Sequence, residues 1–230
     1  CLIMTKTKIK QRLANDKLML WGVCLLAALT AVPLFAILGE VFVRGYDQLS
    51  WSFFTEPTPT AYKAMKAIEA GEPIPGGIAN GIIGTMIMLG MAVVVAVPLG
   101  ILCGAFLAEN SKNRFAQMVS YLTDLLQGTP SVIIGIITYI WVVVPMKGYS
   151  AIAGSVALCI MMLPLIIRST EETLKILPSS LKEAGLALGG NSARVMLKVQ
   201  LPAAFGGIFT GVLLAISRVI GETAPLMFTA

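Results

Sequence analysis

Apolar runs close to the ~20 residues needed to cross a bilayer recur along this chain, separated by short polar segments. They cover residues 18–43, 81–107, 116–145, 151–167 and 206–230. This pattern predicts an all-α fold, a polytopic transmembrane helical bundle with five spans. Two runs carry internal punctuation. Pro98 removes a backbone donor inside the second and is expected to kink it, and Gly128, Thr129 and Pro130 interrupt the third, which should be broken or bent. Residues 44–80 form a long loop with Pro57, Pro59, Pro73 and Pro75. Trp51, Phe53 and Phe54 stand at its start, where aromatic rings suit the headgroup layer. The last run stops without a polar flank, so the expectation is of a truncated chain.

Composition agrees with the pattern. The 230 residues are 57% hydrophobic and 13% charged, against about 25% charged in soluble domains, and the mean hydropathy is +0.84. The net charge of +5 matters less than its placement. Lys6, Lys8, Lys10, Arg12 and Lys17 make residues 1–17 a basic tail, expected to be cytoplasmic. Of the 17 lysines and arginines, twelve then fall in segments assigned inside, four outside, and Arg218 within the last span. A cleaved leader competes for the first run, but that run is longer than an ordinary leader core and lacks a clear small-residue cleavage site. Cys1 is hard to reconcile with ordinary initiation, and Met4 is an alternative start.

Enzymatic chemistry finds little support. Histidine is absent, which removes the usual general base and the commonest transition-metal ligand. Cys24, Cys103 and Cys159 lie in apolar runs without metal or redox spacing. No catalytic residue, metal site or cofactor is expected on this chain, and no GxxxxGK[ST] phosphate-binding loop occurs in it.

The polar segment 168–205 is expected to be cytoplasmic and to hold two short helices. Pro178 suits a first helical turn, Gly189-Gly190 a stop, Asn191 a cap for the second helix, and Pro202 its end. Ala184, Gly185 and Gly189 leave the surface shallow, and Glu183 offers a carboxylate to a basic partner. The residues alone leave two readings open, a docking knob for another protein or an amphipathic hairpin on the bilayer surface.

Arg218 and Glu222 are four residues apart in the last run, which on a continuous helix puts them on one face roughly 6 Å apart along the axis. Charges at that depth face protein or water. The pair is open to two readings, a structural ion pair or an anion-handling site in the translocation path. The break at Gly128, Thr129 and Ser131 is likewise either an anion contact through exposed backbone donors or a proline kink. Gly100/Gly104 and Gly207/Gly211 have the spacing of close helix contacts.

Glu183-Ala184-Gly185, Gly189 and Val199-Gln200-Leu201-Pro202 together resemble the EAA loop of ABC importer permeases, with glycine in place of the second alanine. The run Ser217-Arg218 through Gly221-Glu222-Thr223-Ala224-Pro225, the pair Gly84-Thr85, and Asp124 to Ser131 resemble permeases of the phosphate (Pst) system over most of residues 40–230. The resemblance implies a permease domain over residues 18–230, with a sixth span missing, that imports inorganic phosphate. It makes 168–205 a coupling loop in which Glu183, Ala184, Gly185 and Gly189 meet an ATPase. It also implies partners: a second, PstC-like permease, PstB-like ATPase subunits carrying ATP and Mg, and a PstS-like periplasmic phosphate-binding protein. An ion-coupled secondary carrier using Glu222 or Asp124, or a permease for another oxyanion, remain the alternatives. Arg168 is a positional candidate for a mechanical relay.

Overall fold

A computed structural model describes residues 6–46, 49–72 and 75–230, with side chains from residue 15 onward. Cys1, Met4, Pro73 and the side chains of Lys6, Lys8, Lys10 and Arg12 lie outside the described residues. Among those described, every regular element is helical. The chain divides into two compact units, residues 1–80 and 81–230.

In the first unit, α1 (Lys6–Gly45) is already helical within the expected tail. Its portion Asn15–Gly45 is long and apolar enough to cross a membrane. The loop that follows is more ordered than its prolines suggest. It contains α2 (Trp51–Thr55) and α3 (Ala61–Ala70), the latter closed by Gly71 in the left-handed region. Asn80 Oδ1 accepts from the amide and hydroxyl of Thr58 at 3.1 and 2.6 Å. Gly77 donates to the Pro57 carbonyl at 3.1 Å. A Cβ at Gly77 would overlap the Phe53 carbonyl, so this loop closes only around glycine.

The second unit begins within α4 (Ala79–Glu109), which runs unbroken through Pro98. Then come α5 (Arg114–Gly128), α6 (Ser131–Met146, with a π-helical turn at Tyr139–Val143) and α7 (Ala151–Ile176). They are followed by α8 (Ser179–Ala187), α9 (Ser192–Ala203, π-helical at Met196–Gln200), α10 (Phe205–Ile220) and α11 (Leu226–Thr229). The expected break in the third run is sharp, since α5 and α6 meet at 104° across Thr129-Pro130. A second bend of 72° separates α9 from α10. Among the described residues, three helices are long and apolar enough to span by themselves, or up to five if each bent pair counts as one span.

Three expected boundaries are corrected. The helix of the fourth span runs past residue 167: α7 continues to Ile176, so the first nine residues of the 168–205 segment are helical. At 1.5 Å per residue, α7 is about 39 Å long and outreaches a hydrocarbon core of about 30 Å, which carries its last charged turns beyond the apolar layer. The last run is not one helix to residue 230, because α10 stops at Ile220 and the chain turns before α11. Pro202 does not end the second hairpin helix, which breaks at Ala204.

α7 is the centre of this unit. Ser150 caps its start, its Oγ accepting from the Ala153 amide at 3.2 Å, and Ala153, Ala157, Met162 and Ile166 are fully buried along it. α4 and α10 approach it through the two glycine pairs. A Cβ at Gly100 would sit 2.6 Å from Ile166 Cγ2, and one at Gly104 2.6 Å from the Ile167 carbonyl. Cβ atoms at Gly207 and Gly211 would overlap Thr173 and Ser169. Between membrane helices the attraction is mainly close packing, and these absent side chains permit it.

Candidate anion path and coupling hairpin

Past the apolar layer α7 carries four charges, Arg168, Glu171, Glu172 and Lys175. Arg168 donates from all three guanidinium nitrogens: Nε to Asp124 Oδ1 at 2.8 Å, Nη1 to Glu171 Oε2 at 2.7 Å, and Nη2 to the Ser120 carbonyl at 2.9 Å, with Nη2 also 2.5 Å from Asp124 Oδ1. Lys175 Nζ donates to the other Glu171 oxygen at 2.6 Å. Glu171 is only 4% exposed, so two cations compensate its burial while Arg168 ties α7 to α5. Sequence reasoning named Arg168 and Asp124 but missed Glu171, although its i,i+3 and i,i+4 spacing to Arg168 and Lys175 was readable.

An open cleft of roughly 730 Å³, lined by both polar and apolar side chains, lies beside this network. Asp124 and Gln127 of α5 line it, with Arg168, Ser169, Glu172 and Thr173 of α7. Gln127 also lines a small adjoining cleft with Thr129, Pro164 and Arg218. The structure thus brings Arg218 to the α5–α6 break, 89 positions away in the chain. At that break Thr129 is extended (φ −74°, ψ 131°), and its hydroxyl donates back to the Leu125 carbonyl at 2.8 Å. Gly128 closes α5 and Ser131 opens α6 with no side-chain cap. As a first-turn residue, Ser131 offers an amide with no intrahelical acceptor.

The expected Arg218–Glu222 pair does not form. α10 ends at Ile220, Gly221 caps it, and the Glu222 amide folds back to the Val219 carbonyl at 3.1 Å. Glu222 therefore leaves the helical face it was expected to share. Arg218 is exposed, and among the described residues no carboxylate lies within ion-pair distance of it. The turn itself is packed: a Cβ at Gly135 of α6 would sit 2.7 Å from Pro225 Cα.

The hairpin of α8 and α9 turns through Gly189 in the left-handed region (φ 81°). The Gly190 amide reaches the Gly185 carbonyl at 3.2 Å and the Gly189 amide the Leu186 carbonyl at 2.9 Å, so the last carbonyls of α8 are satisfied by the turn itself. Asn191 caps α9 as expected, its Oδ1 accepting from the Arg194 amide at 2.8 Å. Buried Val195 explains the glycine that replaces the second alanine, because a Cβ at Gly185 would meet Val195 Cγ1 at 2.8 Å. Glu183, Ala184 and Gly189 are exposed, and Leu188 at the tip is 90% exposed. Glu109, which ends α4, accepts from Lys182 Nζ and from Ser192 Oγ, each at 2.6 Å.

Apolar helices around a partly polar cleft, with an exposed hairpin between α7 and α10, define a multi-pass membrane permease. Residues 96–230 match the family described as binding-protein-dependent transport system inner membrane component. The chain is 40% identical over 195 residues to the phosphate transport system permease protein PstA of Yersinia pestis, covering 84% of this chain and 63% of that one. To the PstA of Pasteurella multocida (strain Pm70) it is 36% identical over 228 residues, covering 99% of this chain and 78% of the relative. The fold is shared with a chain of the MetNI methionine ABC transporter in an inward-facing form (TM-score 0.54, 19% identity, 71% of this chain and 72% of that one). The chain belongs to the binding-protein-dependent transport inner membrane components and, among them, to the PstA-type ABC permeases.

Proposed function

We propose that this chain is a permease subunit of an ATP-driven importer of inorganic phosphate, forming the translocation path with a second, PstC-like permease. Phosphate would arrive from a PstS-like periplasmic binding protein. ATP and Mg would be held by PstB-like ATPase subunits docked on the hairpin at Glu183, Ala184, Gly185 and Gly189. The permease domain spans residues 18–230 with the N-terminus cytoplasmic, which the excess of lysine and arginine in the inside segments supports.

The observation that carries this reading is the uncompensated guanidinium of Arg218 beside the α5–α6 break. Guanidinium offers a planar fork of donors matched to phosphate oxygens. The Ser131 amide in the first turn of α6 supplies a neutral donor at the break, Thr129, whose hydroxyl already donates to the Leu125 carbonyl, is left to accept from a protonated phosphate oxygen, and Gly128 adds no side chain there. Gln127 is shared with the larger cavity and gives the anion a polar step toward it. Glu222, turned off the end of α10, is assigned to the same path as a negative charge that disfavours permanent occupancy.

The test is ATP-dependent uptake of labelled phosphate in proteoliposomes containing the full-length permease with its partner subunits. Arg218→Gln is expected to reduce uptake to background while hydrolysis persists, and Glu183→Arg to lose the ATPase from the complex. Excess unlabelled sulfate should not compete. Uptake unchanged in Arg218→Gln, or abolished by sulfate, would reject the assignment.

A further inference from the structure

We propose that Glu109 is a positioning residue that clasps the coupling hairpin to the end of α4. The hairpin is joined covalently to α7 through Leu177-Pro178 and to α10 at Ala204. Glu109 adds a third attachment, to a helix 73 residues before Lys182 and 83 before Ser192. A single oxygen, Oε1, receives both hydrogen bonds, one from Lys182 on α8 and one from Ser192 in the first turn of α9, so it holds both arms of the hairpin at once. Both bonds are to an ionised acceptor, which makes them short and directional.

The clasp fixes the rotation of α8. Successive residues on a helix point about 100° apart, so tethering Lys182 to α4 sets the direction in which exposed Glu183 faces. Glu109 and Lys182 are partly exposed, at 24% and 34% of their side-chain surface, where an ion pair does little for overall stability. Orientation is the role left to it. A push on the hairpin then reaches α4 as well as α7 and α10, and α4 meets α7 again at Gly100 and Gly104.

This inference rests on the hairpin being the ATPase-docking element, and the experiment separates the two. Glu109→Ala, Lys182→Met and the exchange Glu109→Lys with Lys182→Glu would be compared in the reconstituted full complex. The readouts are phosphate imported per ATP hydrolysed and the spin-label distance distribution between exposed positions Leu188 and Lys112. Each single variant should keep hydrolysis within about twofold, lower the import ratio at least fivefold and broaden the distribution, and the exchange should restore both. An unchanged distribution and ratio in the single variants, or a folded exchange variant that restores neither, overturns the clasp. If wild type imports no phosphate but the distribution broadens in Glu109→Ala and narrows again in the exchange, the clasp stands and the phosphate reading falls.

Discussion

Arg168 and Arg218 lie on neighbouring helices, border adjoining cavities, and behave oppositely. Arg168 has an acceptor for each of its three nitrogens, supplied by α5 and α7. Arg218 has no carboxylate within reach among the described residues and faces the broken end of α5. The residue type is the same and the difference lies in what surrounds it. A guanidinium whose donors are held joins helices, whereas one without a carboxylate partner is free for the anion contact proposed above.

Stability measurements on purified protein in detergent, read by thermal or chemical denaturation, test that contrast. The largest loss should follow Glu171→Leu, about 3 kcal/mol, because Arg168 Nη1 loses its acceptor where only 20% of the arginine side chain is exposed, although Asp124 and Ser120 still hold the other two nitrogens and Lys175 can turn to solvent. Gly211→Val should cost about 2 kcal/mol by overpacking the α7–α10 contact against Ser169, and Ser169→Gly in the same chain should recover part of it. Asp124→Asn should cost about 0.5 kcal/mol, since that carboxylate is 58% exposed. Arg218→Gln should stay within about 0.5 kcal/mol of wild type, although the same variant is expected to abolish uptake. Should Arg218→Gln prove as damaging to stability as Glu171→Leu, the two arginines would not differ as described.

Apolar periodicity made much of the fold readable in advance. The runs, the break at Gly128-Thr129-Pro130, the two-helix hairpin and the Asn191 cap all follow from local chemistry. What failed also has physical reasons. The charges at Arg168, Glu171 and Lys175 read as the start of a loop, but they pair within one helix and let it continue. Arg218 and Glu222 were placed on one face by assuming an unbroken helix, while Gly221 and Pro225 were the stop signals overlooked. Nothing local marks Glu109 or the meeting of Arg218 with Thr129, because each depends on partners that only the folded chain brings near.

The four glycines that face α7 have a mechanical consequence. Side chains interposed between helices act as springs: they change rotamer and absorb a displacement of about an ångström before passing it on. At Gly100, Gly104, Gly207 and Gly211 no such spring is present, and the contacts run from backbone to the roots of side chains. If the hairpin is the docking element proposed above, a stroke delivered there meets close-packed helices with little lost motion, and the two bends, at Thr129-Pro130 and Ala204, are the points at which the helical rods are interrupted.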